Sequence, residues 1–167
     1  MRDRRSLIGI IGALLCVLAA VFTATAPAQA APAHSADAAP GRNLVAPPAP
    51  QGAQAADLSA AAVSPGISPA ADFIHVAPGG TFNCGSGNLC TEVWDPTTNS
   101  WKIYFLYRCA RYSLSNWIGG GYYYDHQTGG VTSYFYGQSG NVLHSFKPDW
   151  PTLHSYNWDP VWSIRNC

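Results

Sequence analysis

Twenty of the chain's 21 aromatic residues lie between Phe73 and Trp162, and the other is Phe22. That span shows no sustained i, i+3, i+4, i+7 repeat of apolar residues, which argues against a core of amphipathic helices. Short runs of β-branched and aromatic residues alternate instead with clusters of Gly, Asn, Asp and Pro. Strands are predicted at Leu89–Trp94, Trp101–Tyr107, Tyr122–Tyr124, Val131–Tyr136, Val142–Phe146 and Val161–Arg165. Asp95-Pro96-Thr97-Thr98-Asn99 separates the first two, and Thr128-Gly129-Gly130 and Gly137–Asn141 supply residues that tolerate positive φ. Val131–Tyr136 alternates only partly, so both its faces are expected to be covered. The pattern is that of an all-β chain, a small antiparallel sandwich or barrel.

The ends of the chain differ from this span. Arg2, Arg4 and Arg5 precede an apolar run, Leu7–Phe22, and Ala28-Gln29-Ala30 places small residues where a signal peptidase reads. Residues 1–30 therefore read as a secretory signal peptide with cleavage after Ala30; the 16-residue run is short of the ~20 residues that span a bilayer. Cys16 follows Leu15 rather than a small residue, which does not fit a lipoprotein site, and it is expected to leave with the signal.

Residues 31–71 hold fifteen Ala and seven Pro, with no aromatic residue and no Cys. The prolines break any helix the alanines favour, and few side chains there can bury apolar area. The segment reads as a disordered Ala/Pro-rich arm, either a passive spacer or a binding arm that orders on a partner. Arg42, its only Lys or Arg, and the apolar stretch Phe73-Ile74-His75-Val76 at the start of the domain are the candidate anchors. An extended peptide of this kind suits strand addition to a partner. The remaining domain, residues 72–167, is near the lower limit for a self-sufficient core, so disulfides are expected to matter to it.

The full chain balances 9 Lys+Arg against 9 Asp+Glu. Without residues 1–30 the balance is 6 against 8, a net charge of −2. Nucleic acid as main partner is disfavoured, because phosphate contacts need a basic excess. Four cysteines then remain: Cys84, Cys90, Cys109 and Cys167. An even number in an exported chain implies two disulfides. Four cysteines admit three pairings, of which Cys84–Cys90, a local clip, and Cys109–Cys167, a tie for the last residue, are favoured. In the chain-entropy picture these contribute about 2 and about 4 kcal/mol.

Signals of chemistry are sparse. Gly137-Gln138-Ser139-Gly140 lacks the flanks of a nucleophile elbow and reads as a turn. Glu92 is the only glutamate, and Asp95 follows it in the adjacent turn, a weak basis for a glycosidase. His75, His126, His144 and His154 are scattered, with Asp125-His126 a lone pair of metal-ligand types. In the polar loop after Asp95, Pro96 sits where a calcium ligand is wanted. No metal and no cofactor is expected. Trp94-Asp95-Pro96 recurs as Trp158-Asp159-Pro160, 64 residues on, by chance or as an echo of two related halves. Tyr122-Tyr123-Tyr124, with Trp117, Trp150 and Trp158, are candidates for an exposed aromatic patch that binds sugar or protein, because a small domain cannot bury every ring.

Cys84, Leu89-Cys90, Cys109 and Leu114-Ser115-Asn116-Trp117, with the final Cys167, form a framework over roughly residues 80–167. It resembles a group of secreted actinobacterial proteins similar to metallopeptidase inhibitors. The resemblance implies a small disulfide-tied, βγ-crystallin-like sandwich and inhibition of an extracellular peptidase; the crystallin-type calcium motif is not matched at Pro96 and Asn99. The layout also looks like that of the small adaptor subunits of streptomycete umbrella toxin particles. That likeness implies a β protein joining a repeat-ring toxin to a protease-like lectin, with its N-terminal arm in the cleft of the protease-like fold.

The expectation is a secreted, non-enzymatic module whose partner is a secreted protein with a protease or protease-like fold, with no membrane association after signal cleavage. The alternatives are a peptidase inhibitor and a free antimicrobial or cell-wall-binding protein. The expected contact residues are Arg42, Phe73, Ile74, Val76, Tyr122, Tyr123 and Trp150.

Overall fold

The structure is a computed structural model that describes residues 41–53 and 62–167. The signal-peptide residues 1–30 lie outside them, as do residues 31–40 and 54–61 of the Ala/Pro-rich segment. The described chain is all-β, with twelve strands: β1 Arg42–Val45, β2 Gly66–Ser68, β3 Asp72–Val76, β4 Thr81–Cys84, β5 Leu89–Asp95, β6 Ser100–Leu106, β7 Arg111–Ser115, β8 Gly120–Asp125, β9 Ser133–Tyr136, β10 Val142–Phe146, β11 His154–Asn157 and β12 Ser163–Arg165. Every pairing is antiparallel.

Two five-stranded sheets form the sandwich. Sheet I has the order β10-β9-β12-β7-β2 and sheet II the order β11-β8-β5-β6-β3. The chain passes repeatedly from one to the other, so each sheet is assembled from distant segments. Leu89, Val93, Tyr104, Leu106, Tyr112, Trp117, Tyr123, Phe135, Trp158, Val161 and Ile164 fill the space between them. Rings meet edge-on there, as at Trp117–Trp158 with centroids 5.1 Å apart and Phe135–Trp158 at 5.2 Å, the arrangement aromatic quadrupoles prefer. Gly121 in β8 permits this packing. A Cβ there would run into the Trp158 indole nitrogen and the Glu92 carbonyl oxygen, which are hydrogen-bonded to each other at 2.9 Å.

A third layer covers the other face of sheet II. β1 and β4 form a two-stranded ribbon in the register Arg42↔Cys84 to Val45↔Thr81. Leu44, Ala46 and Phe82 from the ribbon pack with Val76, Cys90, Trp101, Ile103 and Tyr124 of the sheet. β5 and β6 are therefore covered on both faces and buried along nearly their whole length. The two-sided burial expected for Val131–Tyr136 belongs to these strands instead. β9 alternates buried and half-buried positions, because the ribbon covers sheet II and not sheet I.

Two stretches of the Ala/Pro-rich segment, expected outside the domain, are strands of it. β1 pairs with β4, and β2 pairs with β7 in the register Gly66↔Ser115 to Ser68↔Ser113. Their ordering comes from partners far along the chain, since the local composition favours no structure. The Trp117 indole donates to the Gly66 carbonyl at 2.9 Å and adds to the hold on β2.

The disulfides are Cys84–Cys90 and Cys109–Cys167, with Cα separations of 6.2 and 5.4 Å. The first ties the ribbon to sheet II, since Cys84 ends β4 and Cys90 lies in β5. The second anchors the last residue just beyond β12. Two such bonds belong to an oxidising compartment.

Candidate functional site

β3 is the feature that most invites a partner. Phe73-Ile74-His75-Val76 has the aromatic and β-branched content of a strand. It pairs with β6 through Phe73↔Tyr104, Ile74↔Ile103, His75↔Lys102 and Val76↔Trp101. It is also the outermost strand of sheet II, and among the described residues no strand pairs with its other side. Phe73 is 48 % exposed and Ile74 40 %, and alternation places them on opposite faces. An open edge flanked by exposed apolar residues is a template for another strand.

A polar network holds this edge to the sandwich. Ser64 and Pro65, just before β2, are tied to β5 and β6 side chains behind it. The Ser64 hydroxyl donates to Asp95 Oδ2 at 2.5 Å, and Lys102 Nζ donates to Ser64 Oγ at 2.9 Å and to the Pro65 carbonyl at 2.8 Å. The Tyr104 hydroxyl donates to that carbonyl too, at 2.6 Å. His75 Nε2 lies 3.0 Å from Asp95 Oδ2, and the Thr97 amide and hydroxyl both donate to Asp95 Oδ1. Burial pushes the Asp95 carboxyl up, but hydrogen bonds from Ser64, Thr97 and His75 outweigh it and hold the group down at about 2. The Lys102 ammonium also sits 4.4 Å from the Phe73 ring centroid, so one face of that exposed ring is fixed by a cation.

Ser, His, Asp and Lys side chains are thus brought together, but the histidine is not set as a base for the hydroxyl. Ser64 and His75 both engage the same Asp95 oxygen, so the histidine is oriented toward the carboxylate rather than the hydroxyl. Lys102 Nζ is shared between Ser64 Oγ and the Pro65 carbonyl. A carboxylate with its pKa near 2 is too weak a base to take the Ser64 proton. What the network does is fasten the strap before β2 to the β3–β6 edge.

The other expected contact residues scatter. Val76 is 8 % exposed and packs beneath the ribbon; Tyr123 is 3 % exposed and belongs to the inter-sheet core. Neither is a surface anchor, because each points from its strand toward a covered face; Trp117, Tyr124 and Trp158 of the expected aromatic patch are core residues for the same reason. The Tyr123 hydroxyl shares a 2.8 Å hydrogen bond with His144 Nε2, its ring stacks on His154 at 4.9 Å, and burial pushes its hydroxyl up to about 12. Arg42 is exposed but built into β1. Tyr122 is half-buried on β8, three strand spacings or about 14 Å from β3. Trp150 is 60 % exposed beside His126, ring centroids 6.2 Å apart. Only Phe73 and Ile74 form a joint exposed feature.

The scattered histidines and Asp125 have local duties. His126 Nδ1 lies 3.0 Å from the Cys84 carbonyl, His154 lies 2.8 Å from the Asp149 carboxylate, and Asp125 accepts from the Gln127 amide at 3.1 Å. Burial pushes the Asp125 carboxyl up to about 6. Among the described residues no three His, Cys, Asp or Glu side chains gather to hold a metal ion, and no helix is long and apolar enough to cross a membrane. The partnership of Ser64, His75, Asp95 and Lys102 was not legible beforehand; the one local sign was Asp95 at a strand-ending turn. Comparison with protein-family models, curated proteins and solved structures found no match.

Proposed function

We propose that this chain is a secreted, non-enzymatic module that binds a protein partner by strand addition at β3. The observation that carries the reading is the open outer edge of β3 with Phe73 and Ile74 exposed on its two faces. A partner segment laid along it gains main-chain hydrogen bonds from the free edge and apolar contact from both side chains. The Ser64–Asp95–Lys102 network holds the edge in place before binding, which lowers the ordering cost of association. Secretion rests on the character of residues 1–30 and on the two disulfides. The role proposed is that of an adaptor in a secreted toxin complex, whose partner has a protease-like fold. Arg42–Val45 is committed to β1, so Arg42 anchors no free arm.

The test is recovery of C-terminally tagged protein from the producer's culture fluid, with size-exclusion chromatography and mass spectrometry. The native chain is expected in a large complex of fixed stoichiometry. The Ile74→Lys variant, which puts a charge on the edge, is expected to run alone while its stability stays within about 0.5 kcal/mol of native. A lone native chain that blocks a secreted peptidase at near-equimolar ratio overturns the adaptor role in favour of inhibition. A lone chain that binds cells or polysaccharide overturns the protein-binding reading.

A further inference from the structure

A second surface lies on the ribbon side of sheet II, away from β3. After β1 the chain reads Ala46-Pro47-Pro48-Ala49-Pro50. Pro47 and Pro50 are half-buried against the domain, while Pro48 and Ala49 are exposed. That is the three-residue repeat with which an extended proline-rich segment presents one edge. The Trp101 indole donates to the Pro47 carbonyl at 2.9 Å. Trp101 is held edge-on by Trp94 at 5.5 Å and by Tyr122 at 5.6 Å. An indole N–H on a carbonyl between prolines, set among aromatic rings, is the chemistry by which aromatic grooves hold proline-rich peptides.

The chain's own prolines fill only part of this groove. Among the described residues an open trough of about 640 Å³ remains beside them, lined by Pro48, Pro50, Tyr122 and the amide-bearing Gln51 and Asn157, with only the backbone side of Tyr156 turned to it, since the Tyr156 ring packs in the inter-sheet core. Gly120 leaves its floor bare, since a Cβ built there meets nothing within 4 Å.

We propose that this trough docks an extended proline-rich segment of a protein partner, laid alongside the chain's own Pro47–Pro50. The bound intramolecular prolines show which chemistry the aromatic face accepts. The remaining space adjoins that contact, with Trp101 and Tyr122 in its lining. The Tyr122 ring and the exposed Pro48 offer apolar contact to pyrrolidine rings, and the Gln51 and Asn157 amides in the lining are donors for the carbonyls of a segment that has few N–H groups of its own.

The experiment uses the full chain without its signal peptide, both disulfides formed, titrated with the synthetic peptide acetyl-(Ala-Pro-Pro-Ala-Pro)₂-amide and followed by ¹H–¹⁵N NMR. Saturable shifts are expected at Gly120, Tyr122, Tyr156 and the Trp101 indole N–H. Gly120→Phe, which fills the trough without touching the core, is expected to weaken binding about tenfold or more with an unchanged melting temperature. Gly120→Ser, which leaves it open, is expected to bind like the native chain. Absence of shifts at millimolar peptide overturns the proposal. So do shifts confined to the β3 edge, equal binding by the Phe variant, or the same trough shifts from a cell-wall oligosaccharide and not from the peptide.

Discussion

Glu92 lies on the face of β5 that the β1–β4 ribbon covers, 1 % exposed, and neither carboxyl oxygen has a hydrogen-bond partner among the described residues. Burial pushes its pKa up to about 8 from an ordinary 4.5. Folded protein therefore keeps this proton to about pH 8, whereas unfolded chain releases it near 4.5. Across that window the unfolded state binds fewer protons, so stability falls as pH rises, by as much as about 5 kcal/mol. Asp95 acts in the opposite sense. Its folded value of about 2 lies below the ordinary 3.8, so its contribution is present above pH 3.8 and is lost as pH falls through about 2. Glu92→Gln is expected to flatten the decline between pH 4.5 and 8, and urea denaturation of both proteins at those two pH values checks it. An equal decline in the variant places the cause elsewhere. At this scale the sequence was uneven. The disulfide partners were readable, because short spacing and a terminal position each suggest a pairing. The burial of Val76 and Tyr123 was not, because an aromatic or apolar residue reads the same on either face of a strand until its neighbours are known.

Among elements, the legible strands were those with dense β-branched or aromatic content. Leu89–Trp94, Trp101–Tyr107 and Val142–Phe146 match β5, β6 and β10 to within a residue. β7, Arg-Tyr-Ser-Leu-Ser, and β11, His-Ser-Tyr-Asn, carry too little of that signal and are held by the strands they pair with. β1 is the extreme case, four residues between a glycine and an Ala/Pro run. The two Trp-Asp-Pro segments have unlike tasks. Asp95 shapes the turn of the β5–β6 hairpin, whereas Asp159 accepts from the Gly119 amide at 2.6 Å on a connection that crosses between sheets. If β1 is part of the fold, Leu44→Ala costs about 2–3 kcal/mol by opening a cavity over Val76 and Phe82. Thermal denaturation measures that loss. A change under about 0.5 kcal/mol means that β1 adds nothing to the folded state.

For the whole molecule, the absence of helical periodicity and the spacing of turn residues were enough for an all-β antiparallel sandwich. They were not enough for three layers, because the ribbon recruits residues from a segment whose composition suggests none. The candidate site was legible only in part. Phe73 and Ile74 stood out as an apolar stretch at the start of the aromatic span, but their place at a sheet edge depends on β6, some thirty residues on. The network behind them depends on Ser64 and Lys102, which no local pattern joins. The most direct measurement of partner binding at this edge is amide hydrogen exchange of the native chain, alone and in the complex recovered from culture fluid. Strand addition predicts that Asp72–Val76 gains protection in the complex while β10, the edge of sheet I, does not. Unchanged exchange along β3 in an intact complex contradicts it.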